Sequence, residues 1–165
     1  MANTIDSFMK EGKLISSDLV VQLIENSIST YGNRRYLLDG FPRNQENWDV
    51  FEKRLSDKVI VRNLIYFDCP SQTLIDRMTE RAKTSGRADD NPETMKKRIL
   101  TFESETVPIV RSFEERNNCI RVDATKSREE VYSSLRNQLT ANNIHPPNPA
   151  EMLFVLGGPG SGKGT

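Results

Sequence analysis

The sequence has one histidine, two cysteines, one tryptophan and no net charge, with 23 lysines and arginines against 23 aspartates and glutamates in 165 residues. The balance gives no reason to expect a nucleic-acid backbone or an anionic membrane as partner. His145 stands alone in a proline-rich stretch and reads as a solvated linker residue rather than a ligand. No Ser/His/Asp or Cys/His set can be assembled. Cys69 and Cys119 lie in apolar, strand-like contexts and read as reduced core thiols, not a bridge or metal site. No run approaches the ~18 apolar residues of a membrane span. The N-terminus lacks the layout of a signal peptide, and there is no N-x-S/T acceptor. The expectation is a soluble cytoplasmic or nuclear monomer of one domain, since the length suits one core and not two.

Four short apolar runs are present: "RYLLDG" (35–40), "NLIYFDC" (63–69), "CIRVDA" (119–124) and "MLFVLGG" (152–158). They are continuous rather than alternating, as in strands buried on both faces of a parallel sheet. Helical patterns separate them. Residues 17–30 place Leu19, Val20, Leu23, Ile24 and Ile28 on one face, and Gly12 closes an opening helix carrying Ile5, Phe8 and Met9. Asn91 followed by Pro92 starts another helix, which Pro108 should kink or break. Ser127 and Glu130 form a capping box ahead of Val131 and Leu135. Residues 140–151 read as a linker. Strands alternating with helices predict a parallel α/β sheet. Ligands of such sheets bind beyond the carboxyl ends of the strands, where Asp39-Gly40, Asp68, Asp123 and Gly157-Gly158 fall.

The last strand runs into Gly158-Pro159-Gly160-Ser161-Gly162-Lys163-Gly164-Thr165. Closely spaced glycines let backbone N–H groups point inward around phosphate oxygens. Lys163 would reach the β- and γ-phosphates, and the Thr165 hydroxyl could enter a Mg²⁺ shell. A flexible glycine-rich tail is the alternative, against which the apolar "MLFVL" argues. Phosphate affinity in this motif comes partly from a following helix, for which no residues remain.

"LLDGFPRNQEN" (37–47) leaves the first strand. Asp39 is placed to orient Mg²⁺-bound water, Arg43 to hold a phosphate bidentately, and Asn47, one helical turn on, to read a base edge. D-G-F-P is also an ordinary turn. Downstream, "DRMTERAKTSGRADDNPETMKKR" holds Arg77, Arg81, Arg87 and Arg98 around a glycine-containing loop. Charge-rich helices are often only solvated faces, but phosphoryl transfer needs several arginines on the moving group. A short loop pairing Arg87 with Asp89 and Asp90 suits a lid that excludes water.

With "GGPGSGKGT", "KEGKLI" (10–15), "LLDGFPRNQEN", "RAKTSGRADDN", "KKRI" (96–99) and "VDATKS" (122–127), the sequence resembles nucleoside-monophosphate kinases of the adenylate kinase superfamily, most of all the eukaryotic UMP-CMP kinases. The resemblance implies a P-loop kinase fold and Mg²⁺-dependent, in-line transfer of the ATP γ-phosphoryl to CMP or UMP. It implies ATP contacts at Gly158, Pro159, Gly160, Ser161, Gly162, Lys163, Gly164, Thr165, Arg81 and Lys126, the last beside the adenine. The acceptor would meet Lys13, Leu14, Ile15, Gly40, Phe41, Pro42, Arg43 and Asn47, with Arg87 and Arg98 bridging toward the phosphates in flight. The expected catalytic set is Lys163, Arg87, Arg98, Arg43 and Asp39. The metal would be held through water near Asp39 and Thr165. Asparagine rather than glutamine at position 47 favours a pyrimidine acceptor, with AMP as the alternative.

One departure stands out. In the family the phosphate loop comes first, followed by a helix, a strand and an S-x-G-x-x-x-R segment; here the loop is last and that segment is absent. A permuted kinase, a slice through a tandem array and a misordered record all account for this. The expectation is one kinase domain over 1–165: an acceptor part near 1–30, a lid at 81–91, a linker at 140–151, and the first strand and phosphate loop at 152–165. An inactive or fragmentary nucleotide-binding module is the rival reading.

Overall fold

The computed structural model describes residues 16–32, 34–85, 91–144, 151–157 and 159–161. Lys13, Leu14, Ile15, Arg87, His145, Gly158, Gly162, Lys163, Gly164, Thr165 and the expected helix around Ile5, Phe8 and Met9 lie outside them.

The run Leu64-Ile65-Tyr66-Phe67 is buried at every position because both sides of its strand are covered. Leu64 and Tyr66 point into one core, with Phe41, Trp48, Phe51, Leu55 and Phe113. Ile65 and Phe67 point into a second, with Leu74, Met78, Met95, Ile99 and Val122. The strands are β1 (Tyr36–Asp39), β2 (Ile60–Asp68), β3 (Cys119–Asp123) and β4 (Glu151–Gly157), and all their pairings are parallel. Their order is β1-β4-β2-β3, so the last strand of the chain sits between the first two. Asp39 is in register with Val155, Phe67 with Gly157 and Asp68 with Asp123, which brings the four carboxyl ends together at one edge.

The helices are α1 (Ser17–Tyr31), α2 (Gln45–Leu55), α3 (Ser71–Ser85), α4 (Pro92–Thr101), α5 (Val107–Glu115) and α6 (Arg128–Ala141). Asn44 caps α2 by accepting from the Asn47 N–H, Asn91 caps α4 by accepting from the Thr94 N–H, and α6 carries the expected Ser127–Glu130 capping box. A single π turn, Phe102–Thr106, joins α4 to α5, with the Val107 N–H bonded to the Phe102 carbonyl five residues back. Pro108 enters in the first turn of α5, where its missing N–H leaves no gap.

Several expectations are corrected. The face of α1 that packs inward carries Ser17, Val20, Val21, Ile24 and Ile28, while Leu23 is half exposed, one residue off the stripe. β1 ends the described strand order, and its Leu37 is 64% exposed rather than buried on both faces. β2 begins three residues before the apolar run, at Ile60. Thr140 and Ala141 belong to α6 and Glu151 to β4, which shortens the linker at both ends. The segment 81–91 begins as the last turn of α3 and ends with the Asn91 cap. Cys69 and Cys119 are both free thiols, as expected. Among the described residues no helix is long and apolar enough to cross a membrane.

Candidate functional site

At the carboxyl edge, β1 turns at Gly40, whose N–H bonds to the Val155 carbonyl at 2.9 Å and so ties the loop to β4. Gly40 has φ +68°, and a Cβ there would stand 3.0 Å from Arg43 Nη2. Only glycine allows both the turn and the guanidinium to occupy this corner. Arg43 Nε donates to the Gly40 carbonyl at 2.7 Å. That bond orients the side chain, and the structure shows no partner for Nη1 or Nη2 among the described residues. Phe41 and Pro42 are buried beneath, Phe41 with its ring 5.6 Å from that of Phe51.

Asn47 lies 5% exposed on the first turn of α2. Its Oδ1 accepts from the Arg43 N–H at 3.0 Å, and its Nδ2 donates to Ser17 Oγ at 2.8 Å. A backbone N–H can only donate, so the amide orientation is fixed by Arg43. One N–H and one lone pair of the amide are not used by these two bonds. Ser17, itself buried, thereby joins the start of α1 to the loop. Asp39 is exposed at the end of β1.

On the other side of β4 a cavity of about 820 Å³ is lined by Arg77, Arg81, Lys126 and Arg128, with Glu129 as its one carboxylate among the described residues. Its apolar wall is Phe67, Ala124, Val131, Tyr132 and Leu135, and Gly160 and Ser161 close one end. An apolar wall with a cationic rim suits a flat heterocycle joined to phosphates. Four expected site residues, Arg81, Lys126, Gly160 and Ser161, therefore share this cavity. The turn bearing Lys126 is organised by Asp123, which accepts from the Thr125 hydroxyl at 2.6 Å and its N–H at 2.9 Å. The Thr125 side-chain bond, with the backbone bond behind it, holds the Asp123 carboxyl below its ordinary range. Arg77 reaches the Thr125 carbonyl at 3.5 Å and lies 3.9 Å from Cys69 Sγ, a thiol pushed up chiefly by burial.

Ser161 is 3% exposed, and its Oγ is buried without a hydrogen-bond partner among the described residues. A Cβ at Gly157 would fall 2.3 Å from that oxygen. Glycine at the strand end thus makes room for a hydroxyl that the described residues leave unsatisfied, as a loop shaped around an anion would.

Arg98 is partly buried in the last turn of α4. Sequence reasoning placed Arg77 in the arginine cluster offered for phosphoryl transfer but assigned it no contact of its own, although it falls one turn before Arg81 on α3 and so on the same face. Ser17 and Thr106 carry no local signal at all. Thr106 meets the Arg43 carbonyl from 63 residues away.

A parallel sheet with helices on both faces, a glycine turn leaving a central strand and a cationic cavity beside it define the P-loop kinase class. The adenylate kinase family model matches residues 1–118, ending just before β3. The UMP-CMP kinase of Danio rerio is 37% identical over 140 residues, which is 82% of this chain and 71% of that protein. For the UMP-CMP kinases of Xenopus laevis and Homo sapiens the identities are 36% and 35%, covering 81% and 79% of this chain and 72% and 69% of theirs. The chain belongs to the adenylate kinase family. It is accordingly a nucleoside-monophosphate kinase, a phosphotransferase.

Proposed function

We propose that this kinase transfers the γ-phosphoryl of ATP to CMP or UMP within a single domain over 1–165, ATP lying in the Arg81–Lys126 cavity and the acceptor beyond Gly40. The observation that carries this reading is the Gly40 N–H bond to Val155. It seats the loop bearing Arg43 against the strand that leads into the phosphate loop, so donor and acceptor groups converge on one sheet edge. In-line transfer needs little covalent chemistry from the protein; it needs positioning and charge. Arg43, pre-oriented by its own bond to Gly40, holds the acceptor phosphate. Lys163, Arg87 and Arg98 stabilise charge on the moving group, and Lys13, Leu14 and Ile15 frame the acceptor. Glycine N–H groups at 158–165, with Pro159 and Ser161, cradle the donor phosphates.

Among the described residues no three His, Cys, Asp or Glu side chains converge to hold a metal ion. A lone Asp39 at a strand end fits Mg²⁺ carried mainly by substrate phosphates and water, with Asp39 and the Thr165 hydroxyl as outer partners. When bound, the ion would neutralise phosphate charge.

Preference for a pyrimidine is supported by the short amide of Asn47, whose remaining N–H and lone pair suit a base edge, and by the UMP-CMP kinases among the relatives. A coupled ADP-release assay with CMP, UMP and AMP tests it, and AMP as the best acceptor would sink the pyrimidine reading. Asn47→Gln should move preference toward AMP while lowering stability by about 1–3 kcal/mol, because an extra methylene must enter a packed corner.

A further inference from the structure

Arg43 lies in an irregular loop, yet both of its backbone polar groups are taken by side chains from elsewhere. Asn47 Oδ1 accepts its N–H at 3.0 Å, and Thr106 Oγ1 donates to its carbonyl at 2.7 Å. The Thr106 side chain is not there by default. The residue is 4% exposed, and a buried hydroxyl is costly unless bonded. It ends the π turn, in which one residue more than an α-turn is accommodated between Phe102 and Val107. Such an insertion rotates the downstream helix by about 100° relative to the upstream one. The turn therefore decides which side chain faces the acceptor loop. Arg98 lies on the helix that enters this turn. The Thr106 bond thus ties the end of this turn to the peptide plane on the carboxyl side of Arg43.

We propose that Thr106 is a positioning residue for the phosphoryl acceptor, holding the Arg43 backbone so that its guanidinium is presented to one phosphate. This rests on the reading of Arg43 as the acceptor-phosphate clamp. Thr106→Val keeps the side-chain shape and removes the donor, leaving the Arg43 carbonyl unpaired. Thr106→Ser keeps the donor and removes a methyl.

Dissociation constants for CMP, read by the fluorescence of Trp48, and for ATP, read by calorimetry, are measured for both variants and for Arg43→Ala. Thr106→Val should weaken CMP about tenfold with ATP held within about twofold, and Thr106→Ser should return CMP to within about threefold of the parent. A silent Thr106→Val beside an impaired Arg43→Ala overturns the role of Thr106 and leaves the clamp standing. An Arg43→Ala protein that binds CMP as the parent does overturns the clamp itself. Equal losses for CMP and ATP in Thr106→Val reduce the bond to general scaffolding and overturn the proposal. Should Thr106→Val not fold, Thr106→Ser decides alone: a CMP affinity about tenfold below the parent refutes the role of the hydroxyl.

Discussion

Gly40→Ala separates the cost of backbone strain from the cost of moving a guanidinium. At φ +68° an added Cβ is strained whatever the space around it, which costs on the order of 1–3 kcal/mol. In a domain of this size that lowers the melting temperature by roughly 3–10 °C. The second effect is local. The new methyl would lie 3.0 Å from Arg43 Nη2 and 3.5 Å from Nε, so the guanidinium must give by a few tenths of an ångström, which strains its 2.7 Å bond to the Gly40 carbonyl. On the proposed role of Arg43 as the acceptor-phosphate clamp, the displacement weakens a charge-assisted pair worth about 1.5–3 kcal/mol, so CMP affinity should fall by up to roughly a hundredfold.

Gly32 supplies the control. It has φ +72° and ψ −157°, a region open essentially to glycine alone, but nothing stands within 4 Å of a Cβ there. Gly32→Ala should therefore lose stability comparably and leave CMP binding unchanged. Thermal unfolding by circular dichroism and CMP titration of both variants complete the comparison. Equal loss of CMP affinity in the two, or a Gly40→Ala protein that melts lower and binds CMP normally, would refute the reasoning.

Two further outcomes are expected. Ser161→Ala removes a buried hydroxyl with no partner, so the melting temperature should stay within the equivalent of about 1 kcal/mol while ATP affinity falls about five- to tenfold; calorimetry reads both, and unchanged ATP affinity argues against a phosphate contact. Stability should also depend on acid. Glu25 is held below its ordinary 4.5 by Lys58 first and Arg54 next, at 2.8 and 2.7 Å, and Glu130 is held below 4.5 by Ser127. Their folded values lie below the unfolded ones, so this stability is present above about 4.5 and is lost as pH falls through the lowered values. Lys58 is raised above 10.5 by Glu25, so its share is present below that value and is lost as pH climbs through the raised one. Glu25→Gln should flatten the acid limb of a melting-temperature profile; an unchanged limb removes this network as its source.

What was legible in the sequence was what depends on near neighbours. The continuous apolar run in β2 announced a strand covered on both faces, and Ser127 with Glu130 or Asn91 with Pro92 announced helix starts. α2 was harder to read, because its face rests on Trp48, Phe51 and Leu55 amid a mostly polar segment. Pro108 signalled a break but not its form, since a shift from four- to five-residue hydrogen bonding leaves no mark in residue type. At the site, the glycine turn, Arg43 and Arg81 were visible as motifs. Ser17, Thr106 and the use of Asn47 as a support for Arg43 were not, because each depends on a partner dozens of residues away or on which amide face is turned inward. The exposure of Leu37 was equally hidden, being a property of sheet order and not of the strand itself.

The position of β4 has a consequence for how the chain assembles. Tyr36 finds Met152 and Ile60 finds Glu151, so neither of the first two strands has a neighbour on its shared side until the polypeptide beyond residue 150 arrives. Such remote pairing makes for slow closure and a long interval with exposed strand edges. Among the described strands, a chain cut before Glu151 would keep only the β2–β3 pair and leave β1 alone. Supplied separately, a peptide beginning at Glu151 would act as a donor strand, and restoring the sheet would deliver the turn proposed to bind phosphate in the same event. On the proposed reading, completion of the sheet and acquisition of nucleotide affinity are one step in this topology.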